Sequence, residues 1–128
     1  MSEQASPDKP EVDFPDGPPP TELQIVDLVE GDGDEATAGK TALVHYVGVA
    51  YSTGEEFDAS WNRGEALAFP LGGGRVIAGW DQGVVGMKVG GRRRLVIPPH
   101  LGYGDRGAGS AIAPGETLIF VVDLLSLR

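Results

Sequence analysis

The sequence contains no cysteine. A disulfide framework, a thiolate nucleophile and any cysteine-ligated metal are thereby excluded. Histidine is nearly absent: there are His45, set mid-strand beside Tyr46, and His100, flanked by Pro99 and Leu101. A hydrolase triad needs a histidine between a serine and a carboxylate, and no Gly-x-Ser-x-Gly elbow occurs, so His45 is expected to be structural. No apolar run approaches the roughly 20 residues that span a bilayer. The start, Met1-Ser2-Glu3-Gln4, has neither the basic nor the apolar region of a secretory leader. A cytoplasmic chain without membrane contact is expected. Bases are also scarce. Ten Lys and Arg stand against 19 Asp and Glu, for a net charge of -9. That balance argues against a nucleic-acid partner, which needs a basic surface. Arg92-Arg93-Arg94 is a local exception. In an extended segment its side chains alternate between faces, so it forms no contiguous patch and reads as a solvated strand.

What the chain has in quantity is glycine, 20 residues, and proline, 10 residues. Six of the prolines fall within the first 20 residues, among acids and few large apolar groups. Such a segment cannot bury enough surface to offset its ordering entropy. Residues 1–20 are expected to be a disordered acidic tail, stiffened at Pro18-Pro19-Pro20, with Phe14 as the one side chain there able to dock. Residues 21–128 are expected to form one domain.

Within that domain Leu23, Ile25 and Leu28 suggest a first strand. It closes at Glu30-Gly31-Asp32-Gly33-Asp34, an acidic turn without the ligand alternation or closing glutamate of a calcium loop. Thr41 to Tyr51 is rich in β-branched and aromatic residues and predicts a strand. Glu56 to Trp61 and Ala66 to Leu71 predict two shorter ones. Gly72-Gly73-Gly74-Arg75 lacks the Lys-Ser/Thr ending of a phosphate loop and is expected to be a flexible hinge. Ile77, Trp80, Val84 and Met87 recur at helical spacing, with Gly86 as a stop. Arg92 to Ile97 and Thr117 to Leu127 predict the last strands. Many strands, one short helix and no βα alternation indicate an α+β fold with an antiparallel sheet. No pattern implies a metal or a cofactor.

The residues suited to binding are apolar and aromatic: Tyr46, Phe57, Phe69, Val76, Ile77, Trp80, Tyr103, Ile112 and Phe120. On composition alone they could equally be a plain core. Their setting is more specific. The blocks Val44-His45-Tyr46-Val47-Gly48 and Gly54-Glu55-Glu56-Phe57-Asp58-Ala59-Ser60 resemble the FKBP family of peptidyl-prolyl cis–trans isomerases. The same holds for Phe69-Pro70-Leu71-Gly72 with Val76-Ile77-Ala78-Gly79-Trp80-Asp81-Gln82-Gly83. It holds again for Val96-Ile97-Pro98-Pro99-His100-Leu101-Gly102-Tyr103-Gly104 and for the ending Thr117 to Leu125. The blocks come in the family's order and near its spacing, across residues 21–128.

The resemblance implies a strongly bent antiparallel sheet of five to six strands wrapped around one short helix, with an apolar pocket between them. It implies rotation of X-Pro bonds in unfolded or partly folded polypeptides, with no covalent intermediate and no cofactor. Trp80 would floor the pocket. Tyr46, Phe57, Leu67, Val76, Ile77 and Phe120 would wall it. The Ile77 N–H and the Tyr103 hydroxyl would donate to substrate carbonyls. Asp58 would be the polar member, oriented by Tyr46 and paired with Arg63, and Ile112 would lie on a lid loop. The chain departs from animal members at Leu67, where an aromatic is common, at Ala108 and Ala111, where larger side chains are usual, and at Gly102. A smaller lid surface follows, which bears on macrolide inhibitors of the FK506 and rapamycin type more than on catalysis. A monomer is expected. The alternative reading is a non-catalytic proline-motif binding module or chaperone of the same fold.

Overall fold

The computed structural model describes residues 9–12, 17–109 and 111–128. Six strands occur in chain order: β1 (Gln24–Val29), β2 (Thr41–Ala50), β3 (Glu56–Ala59), β4 (Leu67–Pro70), β5 (Arg92–Ile97) and β6 (Leu118–Leu127). All pairings are antiparallel. The spatial order is β1-β5-β6-β2-β3, and β4 also pairs with β2. The long strand β2 makes this possible. One edge runs against β6 along its whole length, while the other pairs with β4 from Thr41 to Val44 and with β3 from Val47 to Val49.

Alternation along the strands separates two apolar faces. Ala42, Val44 and Tyr46 of β2, Leu95 and Ile97 of β5, and Leu118, Phe120, Val122 and Leu124 of β6 form the main core with Trp80 and Val84. The intervening residues Val47, Val49, Val96 and Ile119 point the other way and gather with Tyr51 and Ala59 in a second cluster.

The helix expected around Trp80 is α2, Ala78–Gly83. Its buried face presents Gly79 and Gly83, and this lets it lie directly on β5. A Cβ built at Gly79 would stand 2.6 Å from Ile97 Cγ2, and one at Gly83 2.7 Å from Leu95 Cδ2. Substituting Gly79→Ala raises intrinsic helix propensity by about 0.8–1.0 kcal/mol. The clash should outweigh that gain, with a net loss of about 1–3 kcal/mol from overpacking. Urea unfolding checks this, and a Gly79→Ala protein as stable as the parent would show that the helix can lift without loss.

Two expectations are corrected, and one element, β1, forms as expected but at an edge. The segment expected as a strand from Glu56 to Trp61 stops at Ala59, and Ser60–Arg63 forms a single helical turn, α1, closed by Gly64 at φ 68°. Left-handed geometry of that kind suits glycine. β1 forms, but Ile25 and Leu28 are 44% and 49% exposed, because β1 is an edge strand paired only with β5. The arginines of β5 are not a solvated run. Arg92 pairs with Asp123 at 2.7 Å. Arg93 is 8% exposed, pairs with Asp27 at 2.6 Å and donates to the Gly83 and Val85 carbonyls.

Parts of the N-terminal segment touch the domain. Lys9 pairs with Glu56 at 2.9 Å, Val12 packs on the second cluster, and the Tyr51 hydroxyl donates to the Pro18 carbonyl at 3.2 Å. Phe14 lies outside the described residues.

Candidate functional site

A cavity of about 400 Å³ opens between the concave face of the sheet and α2. It is lined by Tyr46, Phe57, Asp58, Leu67, Gly74, Arg75, Val76, Ile77, Trp80, Tyr103 and Phe120. Six separate parts of the chain supply these residues, Tyr103 coming from the loop after β5. Strands β2, β3, β4 and β6 give Tyr46, Phe57 with Asp58, Leu67 and Phe120. The 74–80 segment gives the loop residues and Trp80.

Trp80 sits on the inner face of α2, 4% exposed. Aromatic rings fix its plane on three sides: Tyr46 edge-on at 4.9 Å, Phe120 edge-on at 5.2 Å and Phe69 tilted at 5.4 Å. Edge-to-face packing of this kind is favourable beyond the area it buries. The Trp80 Nε1–H is buried and finds no acceptor among the described residues. A buried indole usually does find one. Among the described residues the indole is therefore held by packing and not by a side-chain hydrogen bond. Phe57 and Phe120 meet at 5.5 Å with perpendicular planes. They close over Gly48, where a Cβ would stand 2.6 Å from Phe120 and 2.7 Å from Phe57. A glycine inside a strand pattern marks such a close approach, and that was the available signal for Gly48.

The polar side of the cavity is a closed set of three groups. The Tyr46 hydroxyl donates to Asp58 Oδ2 at 2.6 Å, Arg63 Nη1 donates to Asp58 Oδ1 at 2.6 Å, and Arg63 Nη2 donates to the Tyr46 oxygen at 2.7 Å. Burial, and next the Asp58 hydrogen bond, push the Tyr46 hydroxyl above its ordinary value, so it stays a donor. The Tyr46 hydrogen bond, followed by that to Asp58, raises Arg63 in the same way. The pair is half exposed, and such pairs add little stability. Its consequence is a fixed orientation for Asp58.

Two donors at the rim are unengaged among the described residues. The Ile77 N–H precedes α2 as its N-cap residue and donates to nothing among the described residues. The Tyr103 hydroxyl, on a residue 40% exposed, lines the mouth. The structure thus brings nine of the eleven expected site residues to the cavity wall. Arg63 stands behind Asp58 and does not line the cavity. Ile112 is not on the wall either: it is buried in the main core and bridged to Ala108. The resemblance implied a lid position, and the apolar side chain packs into the core instead.

Sequence reasoning missed Gly74 and Arg75, which line the rim. It also expected a hinge at Gly72-Gly73-Gly74. Here the Gly72 and Gly74 amides donate to the Asp81 carboxylate at 2.9 and 3.0 Å. The amides that a phosphate would need are already occupied by an anion. His45 does find a serine, with Nδ1 2.7 Å from Ser60 Oγ. Ser60 is fully buried, and its oxygen also accepts the Tyr46 N–H at 2.7 Å. It cannot reach a substrate carbonyl, and His45 stacks on Trp61 at 4.7 Å as a structural residue. Among the described residues no group of three or more His, Asp or Glu side chains converges, and no helix is long and apolar enough to cross a membrane.

A family model for FKBP-type peptidyl-prolyl cis-trans isomerase matches residues 33–125. An FK506-binding protein of Streptomyces anulatus is 71% identical over 121 residues, 94% of this chain and 98% of that protein. A probable FK506-binding protein of Corynebacterium glutamicum is 52% identical over 119 residues, 93% of this chain and 98% of that one. The crystal structure of AtFKBP13 superposes with a TM-score of 0.78 at 41% identity, covering 86% of this chain and 96% of that one.

Proposed function

The chain belongs to the FKBP-type peptidyl-prolyl cis-trans isomerase family, and from that membership we propose that the 400 Å³ cavity over Trp80 is where the isomerisation takes place. The enzyme activity is that of the family: rotation about X-Pro peptide bonds. The observation that carries the placement is the cavity itself, an aromatic floor and walls with unengaged donors at the rim.

The chemistry needs no nucleophile. The obstacle is amide resonance, a barrier of roughly 18–20 kcal/mol. A planar amide is more polar than a twisted one, so an apolar cavity favours the twisted form relative to water. Donors placed for the twisted geometry bind it selectively, and only such differential binding accelerates the step. A ten-thousand-fold acceleration requires about 5.5 kcal/mol. In this reading the proline ring lies on the Trp80 face, between Tyr46, Phe57, Leu67, Val76 and Phe120. The Ile77 N–H and Tyr103 hydroxyl donate to the carbonyls flanking the bond. Asp58, held by Tyr46 and Arg63, places a fixed negative charge at the cavity edge. Proline is selected by ring shape and by the lower intrinsic cis preference penalty of X-Pro bonds.

The clients are proline-containing polypeptides, unfolded or partly folded. The same cavity is proposed to accept macrolides of the FK506 and rapamycin type, with Leu67 offering less wall than an aromatic would. A monomer is the proposed state, and a cysteine-free composition fits a reducing cytoplasm. Residues 21–128 are the isomerase domain, and the segment before them is an appendage tied down at Lys9, Val12 and Pro18.

Titration of the isotopically labelled protein with short X-Pro peptides, with exchange spectroscopy on the same samples, tests the placement. Peptide exchange should quicken from its uncatalysed tens to hundreds of seconds. The largest shifts should fall on the Trp80 Nε1–H and the Ile77 amide. Acceleration with shifts confined to another face would move the site elsewhere.

A further inference from the structure

We infer that Asp81 is a positioning residue for this site: its carboxylate, by accepting the Gly72 and Gly74 amides, holds the loop that carries Val76 and Ile77 against the cavity. The inference rests on the cavity being the prolyl site.

The loop is anchored at both ends and otherwise loose. At its start the Leu71 N–H donates to the Lys40 carbonyl at 2.9 Å and the Leu71 carbonyl accepts from Gly39 at 3.1 Å. At its end the Ile77 carbonyl accepts from Trp80 at 2.9 Å and from Asp81 at 3.2 Å, which starts α2. Between these anchors lie residues 72–76, three of them glycine. The hydrogen bonds those five residues make among the described residues are the two to Asp81.

Glycine carries more conformational freedom than any other residue. Gly72 and Gly74 adopt φ of 78° and 72°, a left-handed geometry that an unrestrained glycine samples among many others. A carboxylate accepting two amides selects that one geometry. Charge-assisted bonds of this type are about twice as strong as neutral ones. The direction of the side chain fits too. Helical side chains lean toward the N-terminus, so Asp81 reaches back over the loop that precedes α2. Its neighbour Trp80 faces the opposite way and forms the floor. One turn of helix therefore sets both the floor and, through the loop, the wall that includes Val76 and the Ile77 N–H.

Removing the clamp leaves the residues that touch substrate in place chemically but not spatially. Misplacement by about 1 Å away from the reacting groups can lower rates by up to about a hundredfold. A floppy wall loosens the Val76 surface, which weakens ground state and transition state together and appears in KM, and it loosens the Ile77 N–H, which favours the twisted form and appears in kcat. For Asp81→Ala, kcat/KM should fall roughly tenfold, with KM raised and kcat lowered. Asp81→Asn keeps one acceptor and turns an N–H₂ toward the other amide, so its loss should be intermediate.

The test measures X-Pro peptide exchange for the parent, Asp81→Ala and Asp81→Asn, together with amide hydrogen exchange. Gly72 and Gly74 should be protected in the parent, both unprotected in Asp81→Ala and one protected in Asp81→Asn. Amides of Leu95 and Val122 should be unchanged in all three, which reports an intact core. Retained protection in Asp81→Ala overturns the inference, and so does lost protection with KM and kcat/KM as in the parent. A parent that fails to bind or turn over X-Pro peptides at this cavity removes the site reading instead, and the inference with it.

Discussion

Replacing Trp80 with alanine should lower kcat/KM for X-Pro exchange by about a hundredfold per folded molecule, equivalent to about 2.7 kcal/mol of transition-state binding. On the proposed placement the indole supplies the flat surface on which the proline ring rests, and no neighbouring side chain offers another. Tyr46, Phe69 and Phe120 present edges or tilted faces to it. Without the indole they border a larger, wetter hollow that no longer excludes water from the amide. The same substitution should also destabilise the fold by about 3–5 kcal/mol, the range for removing a large buried aromatic. The two effects need separating, because a loss of that size is a large part of a typical domain's 5–15 kcal/mol. Activity is therefore normalised to the folded fraction from urea unfolding, with Trp80→Leu as a milder companion. Both variants should bind proline peptide poorly while folded. If activity per folded molecule were preserved, Trp80 would be core and nothing more.

Arg93→Ala should show the opposite pattern: a loss of roughly 2–4 kcal/mol in stability with little change in activity per folded molecule. Arg93 is 8% exposed, and its guanidinium joins three elements. It pairs with Asp27 of the edge strand β1 and donates to the Gly83 and Val85 carbonyls at the end of α2, at 2.9 and 3.0 Å. Alanine leaves both carbonyls without that donor, and unpaired buried groups carry their full desolvation penalty, whereas the exposed Asp27 carboxylate turns to water and adds little. For a urea slope of about 2 kcal/mol/M the midpoint should fall by on the order of 1–2 M. A midpoint shift under about 0.3 M would mean that water replaces the guanidinium at little cost. Taken together, the two substitutions separate the cavity from the frame that carries it.

Much of the architecture was legible because it depends on local pattern. The β-branched run Thr41 to Tyr51, the apolar run after Thr117 and the punctuation at Gly90-Gly91 and Pro98-Pro99 mark strands by chemistry that acts between neighbours. Trp80 at helical spacing with Ile77 located α2. The ordered motifs pointed to the nine cavity residues, since those motifs carry the lining side chains on separate elements. Other features were not legible. Ile25 and Leu28 are as apolar as buried strand residues, and only the strand order makes β1 an edge. Arg93 reads as any strand arginine until α2 ends above it. Ile112 has the character of a lid contact, yet its place in the core follows from how the 102–115 segment returns to β6. Asp81 and Gly72-Gly73-Gly74 are nine residues or fewer apart, but nothing in their types says that the carboxylate folds back onto the loop.

The sequence by itself determined a small antiparallel α+β domain, because strand periodicity and turn chemistry are properties of residues and their near neighbours, while the ordered motifs pointed to Trp80 and the other residues that line the cavity. The tertiary structure alone decided which apolar residues are exposed, which arginine is buried, and that the glycine loop is clamped rather than hinged. Those are contacts between segments distant along the chain or turned back on themselves, and they exist only once the sheet has closed over the helix.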